Sequence, residues 1–137
     1  HYPLRRQRQM CIRDRIIAVG LLISACDEES NHYEYYEYTY IDTVLAPDTI
    51  QNNQLTQIVT FYPAGCNSFE RIESSERGDT LDLAAVYYFY FKGQPCAHGA
   101  GLDTTLYELH FSEVGAHFLS YRQSKDIQIV QPVYVQD

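Results

Sequence analysis

The chain has 137 residues, with 18 acidic against 10 basic side chains, 13 tyrosines and no tryptophan. Residues 1–25 hold five of the arginines and a single carboxylate, so from Cys26 onward five cations face seventeen carboxylates, a balance of −12. That acidity argues against nucleic acid, whose binding draws its affinity from Lys and Arg neutralising phosphates, and it reads as a soluble, self-repelling surface. The residues after Cys26 suffice for one small domain with one core.

Ile16 to Ile23 (IIAVGLLI) is an apolar run behind five arginines, the pattern of a secretory signal with its n- and h-regions. It is shorter than the ~20 apolar residues a bilayer span needs. Ile23-Ser24-Ala25-Cys26 resembles a bacterial lipobox, which implies that residues 1–25 are a signal peptide, that Cys26 is the lipidation site, and that the membrane is reached through an N-terminal lipid. The competing reading is an uncleaved anchor or amphipathic helix. The stretch RRQRQMCIRDR is unlike a short Lys-rich n-region and resembles translated adapter sequence, which would strip Cys11 and residues 1–15 of biological meaning.

Residues 26–37 read as an acidic, Tyr-rich tether, because the first half (DEESN) has almost nothing to bury. Order is expected from Tyr38, in a domain spanning residues 38–137. Tyr38 to Leu45 is rich in β-branched and aromatic residues and closes at Pro47-Asp48, and Leu55 to Phe61 follows a Gln51-Asn52-Asn53 turn. Pro63-Ala64-Gly65 breaks the chain before Cys66. Phe69 and Ile72 are three apart, which leaves a helical turn and an edge strand both open for Phe69 to Ser74. After the Glu76-Arg77-Gly78-Asp79 turn, Thr80 to Phe91 becomes continuously apolar and aromatic, the mark of a strand covered on both sides. Tyr107, Leu109 and Phe111 share the core-facing side of a strand over Thr104 to Ser112. Ala116 to Tyr121 returns the chain after Gly115, and Ile127 to Val135 forms a terminal strand that Pro132 confines to an edge or bulge.

About seven short strands with turn signals every 8 to 15 residues and no long helix read as an all-β fold, an antiparallel immunoglobulin-like β-sandwich. Without Trp, the antibody-type Cys-Trp-Cys core is excluded and the likeness is architectural. In an exported protein the default for Cys66 and Cys96 is a disulfide, worth about 3 kcal/mol on the chain-entropy model. A metal or reactive-thiol site is the alternative, but neither Cys-x-x-Cys nor an adjacent zinc-type His pair supports it.

Ile41-Asp42-Thr43-Val44 with Pro47-Asp48-Thr49, Phe61-Tyr62-Pro63-Ala64-Gly65-Cys66 with Phe69, Cys96, and Phe111-Ser112-Glu113-Val114-Gly115 together resemble the small Bacteroidota lipoproteins that carry an immunoglobulin-like β-sandwich. The resemblance covers Tyr40 to the C-terminus. It implies a fold and a cell-envelope location, and it transfers no activity or catalytic residue. Asp27-Glu28-Glu29 resembles the signal that sends such lipoproteins to the outer face of the outer membrane, and reads equally as a solvated linker.

His98, His110 and His117 with Asp103 or Glu108 form no metal-ligand motif, and solvent-facing strand positions account for them; no metal or cofactor is expected. Ser112-Glu113 beside His110 lacks a nucleophile elbow. Asp79 and Asp82 would suit glycoside hydrolysis only across a cleft. The tyrosines are the remaining oddity: Tyr87, Tyr88 and Tyr90 read as core, and Tyr33, Tyr35, Tyr36 and Tyr38 as a candidate binding surface, since Tyr joins an apolar ring to a hydrogen-bonding tip. The leading expectation is a lipid-anchored, non-enzymatic binding or structural module of the cell envelope, partnered by an envelope protein or glycan. Carbohydrate binding through the tyrosines is the first alternative, and a small hydrolase using His110 and Glu108 the second.

Overall fold

A computed structural model describes residues 32–93, 96 and 99–137. The segment expected to be a signal peptide (residues 1–25), Cys26, the Asp27-Glu28-Glu29 cluster and His98 lie outside the described residues. Nine strands carry the fold: β1 (Tyr33–Thr39), β2 (Ile41–Leu45), β3 (Thr49–Gln51), β4 (Gln54–Tyr62), β5 (Asn67–Arg77), β6 (Thr80–Phe91), β7 (Gly101–Leu109), β8 (Gly115–Arg122) and β9 (Gln128–Gln136). Among the described residues there is no helix.

The strands form two sheets in a sandwich-like arrangement. The larger is built on β6, a twelve-residue strand with partner strands along both edges. β5 runs antiparallel along one edge. The other edge is shared end to end: β1 pairs with Ala85 to Phe91, and β8 pairs with Thr80 to Leu83, leaving Ala84 with no partner on that side. β8 continues through β9 to β3. The smaller sheet has the order β2-β4-β7.

Most pairing is antiparallel, but β6 with β8 and β3 with β9 run parallel, which corrects the expectation of a wholly antiparallel fold. The physical reason for the first is that β7, between β6 and β8 in the chain, lies in the other sheet. The chain crosses layers twice and re-enters the larger sheet in its original direction.

Alternation decides what each strand buries. Thr56, Ile58 and Thr60 of β4 face inward, and Leu55, Gln57 and Phe61 face out. Ile58, Ala85, Leu109, Leu119 and Val135 are wholly buried, and each large aliphatic side chain removed from water in this way stabilises the fold by about 1.5–3 kcal/mol. One hydrogen bond ties the layers through the core: the Thr60 hydroxyl on β4 lies 2.7 Å from the Tyr87 hydroxyl on β6.

Three segments differ from expectation. Tyr33 to Glu37, expected in the tether, belong to β1 because their partners on β6 extend to Phe91. The single strand expected over Tyr38 to Leu45 divides at Tyr40, where the chain passes from one sheet to the other and the Tyr40 carbonyl accepts from the Phe61 amide at 2.9 Å. β3, where no strand was expected and whose last residue, Gln51, was read as part of a turn, is held by its parallel pairing to β9. With that division and β3, the strands number nine rather than about seven.

Phe69 to Ser74 takes the edge-strand alternative. A bulge between Phe69 and Arg71 inserts one residue, so two side chains three apart both face the core. Pro132 obeys the rule without sitting on an edge strand. The Phe118 amide opposite it donates to Asp79 on the β6 side, so the Pro132 nitrogen points to the flank that short β3 leaves uncovered. Cys66 and Cys96 lie at disulfide distance, with Cα atoms 5.1 Å apart.

Candidate functional site

The four tyrosines expected to form one surface are split by the two-residue period of β1. Tyr33 and Tyr35 fall on its core-side face. They stack on Phe91 and Phe89 at centroid separations of 5.4 and 5.1 Å, beside Cys66 and Cys96. Tyr36 and Tyr38 fall on the opposite face, the outer side of the larger sheet.

On that outer face the register brings Tyr36 against Tyr88, 5.3 Å between centroids, and Tyr88 in turn stacks on Tyr90 at 5.7 Å. Tyr88 and Tyr90 therefore belong to the surface cluster, and only Tyr87 of the three central tyrosines is core. Val86, flanked by Tyr38 and Arg71 in register, is only 3% exposed although it lies outside the core cluster, so the outer side chains cover it.

A polar network pins this surface. The Tyr38 hydroxyl donates to Glu73 Oε2 at 2.7 Å, while Arg71 donates to Glu73 Oε1 from Nε at 2.9 Å and from Nη2 at 2.6 Å. The Arg71 guanidinium also sits 5.7 Å from the centroid of the Tyr36 ring, a cation–π distance. The hydrogen bonds from Tyr38 and Arg71 hold the Glu73 carboxyl below the usual carboxylate range. The same bond to Glu73 raises Tyr38, and burial followed by the nearby Glu34 carboxylate raises Tyr88. Each shift keeps the group in the protonation state that the network uses at neutral pH.

Beside this cluster, where the C-terminal ends of β1 and β8 approach each other along β6, a groove of about 580 Å³ opens at the seam. Tyr38 and Tyr40 line it from the β1 side, Ser120, Arg122 and Gln128 from the β8–β9 side, and Arg77 and Asp82 line it as well. Arg77 binds Asp82 through Nε and Nη2, at 2.6 and 2.5 Å. Gln128 Nε2 donates to the buried Ser120 hydroxyl at 2.8 Å. Arg122 has no ion-pair partner among the described residues. The groove continues past Arg77 and Asp82 onto Phe118 and Val130.

The residues considered for catalysis do not converge. His110 Nδ1 is 2.7 Å from Asn53 Oδ1, and the Ser112 hydroxyl donates to Glu76 at 3.0 Å, so neither is paired to the other. His117, expected at the surface, is buried against Phe111, and its Nε2 donates to the Glu113 carbonyl at 3.0 Å. It lies on the core side of β8, the parity of Leu119 and Tyr121. The Asp82 carboxylate is occupied by Arg77, and Asp79 accepts from Thr80. Among the described residues no group of three His, Cys, Asp or Glu could hold a metal ion.

The outer face of the smaller sheet is apolar by contrast, exposing Leu45, Leu55, Phe61, Leu102 and Leu106.

Sequence reasoning missed Arg71, Glu73, Arg122 and Gln128. Each reaches the site through pairing with a distant strand, and the only local signal was the parity separating Tyr36 and Tyr38 from Tyr33 and Tyr35. No protein-family model, curated protein or solved structure matches the chain.

Proposed function

We propose that the protein is a lipid-anchored module of the cell envelope that binds or scaffolds without catalysing a reaction, and that the outer face of the larger sheet is its contact surface. The observation that carries this reading is the outer-face Tyr36–Tyr38–Tyr88–Tyr90 cluster, with Tyr36 and Tyr38 exposed and Tyr88 and Tyr90 half-buried, beside the Arg71–Glu73–Tyr38 network. Large amphipathic rings packed on one another outside the core, with Tyr38 fixed by its hydrogen bond to Glu73, offer contact area at little further cost in side-chain entropy. The lipid anchor rests on the lipobox-like Ile23-Ser24-Ala25-Cys26, and export is in keeping with the Cys66–Cys96 pair.

The fold is read more finely as immunoglobulin-like. The β2-β4-β7 sheet parallels the A-B-E strands of such domains, and antiparallel β8 and β9 parallel F and G. The departure is β6, which lies parallel to β8 where an antiparallel C strand is expected.

The test is expression with its leader in a Bacteroidota host, followed by intact mass, surface protease treatment and crosslinking on the same cells. A diacylated or triacylated chain beginning at Cys26 is expected, with a crosslinked envelope component that Tyr36→Ala and Tyr88→Ala release. An unmodified chain retaining residues 16–25, or crosslinking indifferent to both substitutions, would overturn the proposal.

A further inference from the structure

We infer that the seam groove between β1 and β8 is a binding site for a sugar unit bearing one carboxylate, a uronic acid residue within an oligosaccharide, with Arg122 as its anchor. The inference rests on the binding-module reading and names the ligand class for it.

Charge is the first argument. From Cys26 onward the chain carries five cations in a balance of −12, yet two of the five, Arg77 and Arg122, line this one groove with Asp82 as its only carboxylate. The groove is thus locally positive by one charge in an acidic molecule. Asp82 is already neutralised by Arg77, which leaves the exposed Arg122 fork for a ligand. A guanidinium matches the two oxygens of a carboxylate in a bidentate pair. A net charge of one balances a carboxylate monoanion better than a phosphate dianion.

Shape and chemistry give the second. The volume of about 580 Å³ is within the range of small-ligand sites. Its lining alternates aromatic walls, Tyr38 and Tyr40, with hydrogen-bonding groups, Ser120 and Gln128. A pyranose ring presents both kinds of surface, an apolar C–H face and a rim of hydroxyls. The extension of the groove onto Phe118 and Val130, which Asp79 and Thr80 also line, offers a neighbouring unit an apolar contact beside hydrogen-bonding groups.

A peptide fits less well. Strand addition requires unpaired backbone along an edge, and the groove-lining residues of β6 and β8 are engaged in sheet pairing except Ala84 and Arg122, which lack a partner on the seam side and are too few to pair an added strand.

The experiment is calorimetric titration of the full chain with trisaccharides of galacturonate, mannuronate and glucuronate, with their neutral counterparts and with triglutamate. At least one uronate should bind more tightly than its neutral counterpart by about tenfold or more, the scale of one charge-assisted contact, and the preference should weaken as salt rises. Arg122→Gln should abolish that preference, and Arg122→Lys should restore only part of it. Arg122 is exposed, so an unchanged melting curve verifies that the fold survives. Failure of every uronate, equal binding of acidic and neutral sugars, or indifference to Arg122→Gln overturns the assignment. So does triglutamate binding as tightly as the best uronate with the same Arg122 dependence. An envelope component still released by Tyr36→Ala after such a failure would show that the groove assignment fell alone and the contact-surface reading stands.

Discussion

Replacing Tyr87 by Phe removes one oxygen from a hydrogen bond that joins the two sheets. Thr60 is 1% exposed, and the 2.7 Å contact with Tyr87 is the one hydrogen bond of its hydroxyl among the described residues. The variant therefore leaves a buried hydroxyl unsatisfied, which costs about 1–3 kcal/mol, more than the ~1 kcal/mol net value of an ordinary hydrogen bond. Thr60→Val strands the Tyr87 hydroxyl in the same way, since Tyr87 is also 1% exposed. The double variant removes both polar partners while nearly preserving shape, and should lie within about 1 kcal/mol of the parent protein. The single losses, about 1.5 kcal/mol each, then exceed the double loss by a coupling of about 2 kcal/mol. Urea unfolding of the four proteins measures this. With a slope of about 1–3 kcal/mol/M, each single variant should lower the midpoint by roughly 0.5–1.5 M and the double should recover most of it. Additive losses, or a Tyr87→Phe protein indistinguishable from the parent, would refute the idea that this bond joins the layers.

Reduction should be as visible. Cys66 and Cys96 close a loop of separation 30, so on the chain-entropy model losing the crosslink costs about 3–4 kcal/mol; equal melting curves with and without reductant would contradict the pairing. Asn52 receives the Phe111 amide at 3.0 Å and donates to the Phe111 carbonyl at 2.9 Å from a part-buried position. Asn52→Ala should lower unfolding stability by about 2 kcal/mol, and a change under about 0.5 kcal/mol would remove Asn52 as the tie between that turn and the exit of β7. The Glu73 carboxyl is depressed in the folded protein, so its contribution is present above the ordinary carboxylate range and is lost as pH falls through the lower folded value. Carbon-13 NMR titration should find Tyr38 ionising above the ordinary tyrosine value, and Glu73→Gln should bring it down. A Tyr38 titration indifferent to that substitution would deny the hydrogen bond.

Strand existence was largely legible in the amino-acid order. The Thr80 to Phe91 run appears as β6 with the expected bounds, but its expected cover on both sides is not met, because Tyr88 and Tyr90 lie half-buried on the outer face of the sheet. The Phe69–Ile72 spacing was ambiguous because a bulge mimics a helical interval, and a bulge exists only relative to a partner strand. His117 was misplaced for a related reason: its side follows from the parity of β8 against β6 and β9, which no local pattern states.

The candidate surface shows the same division. The tyrosine content marked the segment as unusual, but Tyr33 to Glu37 were expected in a tether, and the two-residue period that separates Tyr36 and Tyr38 from Tyr33 and Tyr35 acts only because β1 forms along β6. That Arg71 and Glu73 meet Tyr38, and that Arg122 meets Tyr40 across a seam, required three segments far apart in the chain to share β6. Composition, turn chemistry and two-residue alternation determined by themselves an all-β chain and most of its strands, because these properties act over a few neighbouring residues. Sheet order, the parallel β6–β8 pairing and the groove were decided only by tertiary structure, because register is set by which faces can be buried together across the whole core.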